Sequence, residues 1–332
     1  MQFVGIDISA KTLVVHLQPL KGSCQRFTFA NTWEGHQKLC RRLSKSGLPT
    51  RVALEATGLY SLEIALALCR QPQVELMVVN PRSLRDFARA DLRRSKTDAV
   101  DAEVLLEYSQ RMRFQPWQPP SPEALELRAI SRRIEELTDL VTQEKNRLHA
   151  VGFVSALGEV VRQDLEAHLQ HLEERINTLQ QEAWRLIQTQ DRLRQDADLL
   201  LSTPGIALKS AIHLLAELSL LPADMQARQW VAYAGLDPRS YESGSSVHKP
   251  AQISRCGNPH LRRSLYMPAL VAVRRDPHVR AFYEQLLARG KKPLQALVAV
   301  MRKLLHSLHG MMRHRTSFDG AKFRSLEIPV AS

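Results

Sequence analysis

The order of short apolar segments in the first 80 residues constrains the fold more than any other feature. Three short strand-like segments occur at residues 3–8, 12–18 and 26–29, separated by turns at 9–11 and 21–23. Helical patterns and apolar strands then alternate, in the order helix 34–43, strand 51–54, helix 59–70 and strand 74–79. The helical pattern resumes from 83 to 94 and again up to 110.

Three antiparallel strands followed by alternating helices and strands are typical of an α/β ribonuclease H-like fold. In such a sheet the first and fourth strands are parallel neighbours, and ligand sites form beyond the carboxyl ends of parallel strands. Asp7 and Glu55 stand at these two ends, and Asp98 and Asp101 share one face at the start of a predicted helix. Four converging carboxylates repel one another unless cations lie between them, so this pattern predicts a metal site.

Each acid also has a simpler interpretation. Asp98 follows Ser95 by three residues and could be the acidic member of a capping box at a helix N-terminus. Asp7 and Glu55 could each be an ordinary turn residue. The agreement of all four positions with one edge of one fold favours the site.

Proline residues between 116 and 122 mark the end of the first region, which predicts domains at 1–118, 119–198 and 199–332. The middle region carries two heptad-like stripes, Leu127, Ile130, Ile134, Leu137, Val141, Glu144 and Leu148, then Leu165, Leu169, Leu172, Ile176, Leu179, Ala183 and Leu186. With Gly152 and Gly158 between them, the stripes predict a helical hairpin or an intermolecular coiled coil, or more simply a two-helix core element.

The last region is predicted to be mostly helical. Residues 201–210 resemble the turn of a helix-hairpin-helix module, whose second helix can hold a phosphate at its N-terminus. Residues 241–246 read as a flexible, hydroxyl-rich loop. Basic side chains throughout the region suit contact with phosphates, and the predicted nucleic-acid contacts are Lys209, Arg239, Lys249, Arg262, Arg263, Lys291 and Lys292.

The formal net charge of the 332-residue chain is +12, and the basic excess lies in its two end regions, whereas the middle is acidic. Such a distribution favours nucleic acid as the partner of the ends and protein contacts for the middle. The four cysteines form neither a CxxC pair nor a zinc-ligand pattern, and neither a signal peptide nor a membrane span is expected. A cytoplasmic location is expected.

Several motifs together resemble one family over essentially the whole chain. They are Gly5-Ile6-Asp7, Glu55-Ala56-Thr57-Gly58, Asn80-Pro81, Lys96-Thr97-Asp98-Ala99-Val100-Asp101-Ala102, Pro204-Gly205-Ile206, Ala234-Gly235-Leu236 and Tyr241-Glu242-Ser243-Gly244-Ser245-Ser246. This combination resembles the DEDD transposases of the IS110 insertion-sequence family, the bridge-RNA-guided recombinases, and their pilin-gene invertase relatives.

The resemblance implies a RuvC-like domain whose DEDD set is Asp7, Glu55, Asp98 and Asp101, and a C-terminal transposase domain with Ser243 as nucleophile. It also implies a noncoding bridge RNA that pairs with donor and target DNA in the bacterial nucleoid. The expected assembly is a homo-oligomer, a dimer or a dimer of dimers, in which one protomer's acids meet the serine of another.

Two Mg²⁺ ions held by the four acids would activate a serine hydroxyl and neutralise the phosphate, so that Ser243 forms a covalent phosphoserine link. Ser245 and Ser246 remain competing nucleophiles. Alternatives are a RuvC-like nuclease that uses water, a nucleic-acid-binding scaffold, and an actin-like ATPase, which would need a second glycine near residue 9 to cradle phosphates. The residues alone do not establish dependence on RNA.

Overall fold

The computed structural model describes residues 1–91, 98–153, 159–243 and 247–323; at Asp98 and at residues 240–251 it describes the backbone alone. Two compact units divide the chain, residues 1–119 and 120–332. Ser95, Gly158, Ser245, Ser246 and the predicted helical residues 92–94 lie outside the described residues.

A mixed five-stranded sheet forms the centre of the first unit, in the order β3-β2-β1-β4-β5. The strands are β1 Gln2–Ile8, β2 Thr12–Gln18, β3 Gln25–Ala30, β4 Thr50–Glu55 and β5 Val74–Val79. The first three strands are antiparallel, whereas β4 runs parallel to both β1 and β5. This topology is compatible with the predicted ribonuclease H-like fold.

Helices cover both faces of this sheet because strand side chains alternate between the faces. The helices are α1 Trp33–Ser44, α2 Leu62–Cys69, α3 Pro81–Ala90 and α4 Asp98–Arg111, with a 3₁₀ helix at Gly58–Ser61. Val4 and Ile6 share a buried core with residues of α1 and α2. Ala53 packs on the opposite face in a cluster with residues of α3 and α4.

Local capping explains where two of these helices begin. The Thr32 side chain accepts a hydrogen bond from the Gly35 amide at the start of α1, at 3.3 Å. Asn80 accepts one from Arg82 at 2.8 Å, and Pro81 occupies the first turn of α3. β5 therefore ends at Asn80-Pro81 as predicted.

In the second unit, two long helices form an intramolecular hairpin: α5 Pro122–Val151 and α6 Glu159–Thr189. Their heptad positions share one buried cluster, and Lys145 pairs with Glu173 at 2.9 Å, so the helices run in opposite directions. The helical hairpin is thus present within one chain. An intermolecular coiled coil stays a prediction.

The rest of the second unit is mostly helical and shares one large core. Its elements are α7 Asp191–Leu201, α8 Leu208–Leu218, α9 Ala227–Tyr233, β6 Pro238–Ser243, β7 Val247–Ile253, α10 Pro259–Arg275, α11 Pro277–Ala288, α12 Pro293–His314 and α13 Gly320–Phe323. Gly205, at φ +91°, turns the chain between α7 and α8 where a side chain would collide with the α10 backbone. A phosphate-binding role for this turn stays a prediction.

The prediction of a loop at 241–246 is wrong in its first half. Tyr241, Glu242 and Ser243 complete β6 and pair with Lys249, His248 and Val247 of β7. Backbone hydrogen bonding holds this hairpin, and a polar side-chain pattern gives no signal of it. No helix in the described part of the chain is long and apolar enough to cross a membrane.

Candidate active site

Asp7 and Glu55 are neighbours at one edge of the sheet. The parallel register of β1 and β4 pairs Ile6 with Leu54, so Asp7 and Glu55 are the next residues on adjacent strands. Adjacent strands lie about 4.8 Å apart, so side chains at one level and on one face are in reach of each other. Both carboxylates are half-buried.

Helix α4 lies directly against β1 on the face that carries Asp7. Gly5 is two residues before Asp7 and therefore points to the same face. A Cβ at Gly5 would overlap the Ala102 carbonyl oxygen and the Leu106 amide nitrogen. Only glycine allows so close an approach, and this approach fixes the height of α4 above the sheet.

The amino end of α4 points toward the edge that carries the carboxylates. At the opposite edge, the Arg51 guanidinium group stacks on the Phe114 ring, just beyond the end of α4, with its central carbon 4.8 Å from the ring centroid. Because Arg51 lies near the start of β4, α4 runs antiparallel to β4. Its first residues are therefore at the carboxyl ends of β1 and β4.

Helix geometry gives the level of the two α4 acids relative to Asp7. Asp98 precedes Ala102 by four residues, about 6 Å along the helix, and Asp7 follows Gly5 by about 7 Å along the strand. The helix therefore begins near the level of Asp7, and the half-buried Asp101 lies about one turn deeper. The capping-box interpretation of Asp98 is not tested, because its other member, Ser95, lies outside the described residues.

The donor chemistry at this edge suits Mg²⁺, since carboxylate oxygens are its preferred protein ligands. Among the side chains that the structure describes, no group of three or more His, Cys, Asp or Glu is arranged to hold a metal ion. That set does not include the Asp98 side chain. That all four acids come together in one metal site stays a prediction.

A buried histidine lies under α4, and sequence reasoning missed it. His16 pairs with Gly5 across the antiparallel strands and is 1% exposed. Burial, together with Arg26, lowers its pKa, and neither ring nitrogen has a hydrogen-bond partner among the described residues. Burial therefore favours the neutral imidazole at this position, between the sheet and α4.

Ser243 is the last residue of β6, opposite Val247 at the far end of the hairpin. The base of the hairpin is fixed by the backbone: Ser254 donates to the Asp237 carbonyl at 2.9 Å, and Gly235 has a φ of +66°. At Gly257 a side chain would collide with the Tyr233 carbonyl. These contacts hold the strand that ends at Ser243 in one orientation at its base.

The predicted nucleic-acid contacts fall into two groups. Five of them are exposed, namely Lys209, Arg239, Arg263, Lys291 and Lys292, and only the backbone is described at Lys249. Arg262 instead donates to the Ala234 carbonyl at 2.8 Å, and Arg263 forms a two-point ion pair with Asp139 at 2.5 and 3.1 Å. The hydrogen bond from Arg263 lowers the pKa of Asp139. Arg262 and Arg263 therefore make contacts within the chain.

Comparison with known proteins identifies the family. Residues 4–151 match the model of IS110-type DEDD transposases, and residues 197–284 match the model described as the transposase IS116/IS110/IS902 family. The pilin gene-inverting protein of Moraxella bovis is 30% identical over 326 residues, which is 96% of this chain and 97% of that protein. The chain belongs to the IS110 family of transposases.

Other relatives of this IS110 transposase agree with that assignment, and the family predicted from the motifs is confirmed. The pilin gene-inverting protein of Moraxella lacunata is also 30% identical over 96% of this chain and 97% of its own length. A probable family 20 transposase of Pseudomonas aeruginosa is 25% identical over 81% of this chain and 86% of its own. IS110 transposases are enzymes that act on DNA, and membership in a DEDD family suggests dependence on a divalent metal.

Proposed function

We propose that this IS110 transposase cuts and rejoins donor and target DNA at a Mg²⁺ site made by Asp7, Glu55, Asp98 and Asp101, with Ser243 as the nucleophile. The observation that carries the proposal is the shared edge. Two acids stand at adjacent ends of parallel strands, and the helix that bears the other two begins near their level on the same face.

A bound metal would supply the positive charge and the activation of the nucleophile that phosphodiester cleavage needs. Mg²⁺, two ions when the site is filled, would neutralise charge on the scissile phosphate and assist deprotonation of the attacking hydroxyl. A serine hydroxyl is a weak nucleophile near neutral pH without such assistance. The all-oxygen donor set matches this ion and gives each acid a role.

In the proposed reaction the Ser243 hydroxyl oxygen attacks phosphorus, and the bond from phosphorus to one deoxyribose oxygen breaks. The serine proton leaves to a base or solvent, and the displaced sugar oxygen takes up a proton and departs as a hydroxyl. The phosphoserine ester retains the energy of the broken ester bond. A hydroxyl of another DNA strand then attacks the same phosphorus and releases Ser243, so no ATP is needed.

The family motif at residues 241–246 favours Ser243 over other serines, and its place at the end of β6 is compatible with that role. Ser245 and Ser246 follow within three residues and remain the alternatives that an experiment must separate.

We further propose that a noncoding bridge RNA selects the DNA sites, and that two dimers assemble on them. Four exposed basic residues, Lys209, Arg239, Lys291 and Lys292, support contact with polyanions. The resemblance to RNA-guided recombinases supports RNA as the guide. Reactions with and without RNA transcribed from the flanking noncoding end of the element test this point.

A DNA–protein adduct is the decisive product. Full-length protein, Mg²⁺, labelled donor and target DNA and the RNA are incubated and separated on a denaturing gel. We expect an adduct that is lost in Ser243→Ala and in Asp101→Asn but retained in the matched controls Ser245→Ala and Ser246→Ala. Free nicked DNA that persists in Ser243→Ala would instead identify a nuclease that uses water.

Mixing two inactive variants tests how the site is assembled. If the acids and the serine of one site come from different protomers, a mixture of Asp101→Asn and Ser243→Ala chains regains adduct formation. If both come from one protomer, the mixture stays inactive at every ratio. Each variant incubated alone is the control.

A further inference from the structure

The exposed large apolar side chains of the first unit include Trp33, Leu59 and Tyr60. Trp33 is 70% exposed, Leu59 77% and Tyr60 58%. The buried face of α1 is made by other residues of that helix, so Trp33 lies outside its packing face. Large exposed apolar patches on soluble domains usually mark binding surfaces.

The side chain of Asn31 ties together the segments that carry these residues. Its amide nitrogen donates to the Ser9 carbonyl at 2.9 Å and to the Tyr60 carbonyl at 3.1 Å. Its amide oxygen is 2.7 Å from Nε2 of His36 and accepts the hydrogen bond, because the amide nitrogen is already donating. The β1–β2 turn, the 3₁₀ helix and the start of α1 therefore meet at one residue, two positions before Trp33.

This patch lies at the same edge of the sheet as the carboxylates, next to α1 and α2, which cover the face opposite to α4. Ser9 follows Asp7 by two residues, so their Cα atoms are at most about 7 Å apart. Tyr60 follows Glu55 by five residues, at most about 18 Å of extended chain. A DNA strand whose phosphate reaches the carboxylates therefore has the patch within reach of a few nucleotides.

We propose that Trp33 and Tyr60 form a stacking platform for unpaired bases of the DNA strand next to the phosphate that is cut. The inference rests on the proposed function, since it assumes that a strand reaches the carboxylates. Strand exchange requires base pairs to open, and aromatic rings bind the flat faces of opened bases irrespective of sequence.

The charges around the platform favour bases over phosphates. Lys11 is exposed at this edge, where its backbone carbonyl accepts a hydrogen bond from the backbone N–H of Asn31. Glu34 follows Trp33 directly, and Glu63 lies near enough to His36 to act on its pKa. Lys38 acts on the pKa of Glu34, so two basic and two acidic groups surround the patch. Because these charges balance, the patch is not a phosphate cradle, and the uncharged ring faces are its main binding feature.

Binding of DNA without chemistry tests the platform separately from the proposed mechanism. In a Ser243→Ala background without Mg²⁺, affinity is measured for a short fluorescent single strand and for the same sequence as a duplex. We expect Trp33→Ala and Tyr60→Ala each to weaken single-strand binding by about 5- to 100-fold, and duplex binding much less. Trp33→Phe and Tyr60→Phe should restore most of the affinity. This binding result does not depend on whether Ser243 is the nucleophile.

The salt dependence and a matched surface variant provide controls. Loss of stacking leaves the slope of affinity against salt unchanged, whereas loss of a phosphate contact lowers it. Phe153→Ala removes an aromatic ring that is 78% exposed on the second unit and should leave binding unchanged. Three results would overturn the platform: unchanged single-strand affinity in both alanine variants, an effect confined to RNA, or a lower oligomer mass in sedimentation.

Discussion

Replacing Gly5 with alanine tests the contact that joins the sheet to the helix carrying Asp98 and Asp101. The added Cβ would overlap the Ala102 carbonyl and the Leu106 amide, and it would lie 2.9 Å from the Leu106 Cα, where ordinary contacts begin at 3.4 Å. All three atoms belong to the backbone, so no side chain can rotate away. Helix α4 has to withdraw, by a distance on the order of 1 Å.

This withdrawal affects function more than stability. Overpacking of this kind costs about 1–3 kcal/mol, which is less than the about 5–15 kcal/mol that stabilises an ordinary domain. Gly5→Ala protein should therefore still fold. A misplacement of about 1 Å in a catalytic group can lower the rate by about 100-fold, so we expect adduct formation to fall by one to two orders of magnitude.

Urea unfolding gives the stability of the Gly5→Ala variant, and the rate of the Mg²⁺-dependent DNA–protein adduct gives its activity. The control is Leu43→Ala, which removes a buried side chain from α1 on the opposite face of the sheet at a cost of about 2–5 kcal/mol. It should lose more stability than Gly5→Ala and keep more activity. If Gly5→Ala matched the unmodified protein in both assays, α4 would not lie against β1 and the site geometry would be wrong.

Three further expectations concern charge. Burial lowers the pKa of His213, so the unfolded chain binds more protons than the folded chain at low pH. The unfolding free energy should therefore fall as the pH drops below about 6.5. Urea titrations across this range measure the fall, and His213→Gln should make it smaller. Glu217, 3% exposed, pairs with an arginine, so Glu217→Ala should cost about 2–3 kcal/mol in urea unfolding, against about 0–1 kcal/mol for the exposed ion-pair residue Glu136→Ala. Lys292→Ala should lower the salt slope of DNA binding by about one, and Arg263→Ala should change it less because its guanidinium group is already paired; equal slopes in both variants would contradict this.

Much of the first unit follows from the sequence because its signals are local. Short strand-like segments bounded by turn residues identify all five strands. Asn80-Pro81 ends one of them, because Asn80 caps the next helix and Pro81 has no backbone N–H to continue the strand. The parallel order of β1 and β4 then follows from fold-level rules and brings Asp7 and Glu55 to one edge. Family motifs supply the interpretation of these positions as a DEDD set.

Other features depend on contacts between segments far apart in the chain, which no local pattern encodes. Gly5 looks like any glycine in a strand until α4 lies on it. Arg262 and Arg263 look like phosphate ligands, but their partners are a carbonyl 28 residues away and a carboxylate 124 residues away. The β6–β7 hairpin is held by backbone pairing, so a hydroxyl-rich sequence such as Tyr241–Ser243 is easily taken for a loop.

The division of the chain into two units bears on how the proposed reaction is controlled. The four acids belong to residues 1–119, whereas Ser243 belongs to residues 120–332. Under the proposed mechanism neither unit alone completes a site, because the acids lack the nucleophile and the serine lacks the groups that activate it. The proposed cleavage therefore requires an acid-bearing unit and a serine-bearing unit, from one chain or from two, which is what mixing the two inactive variants measures.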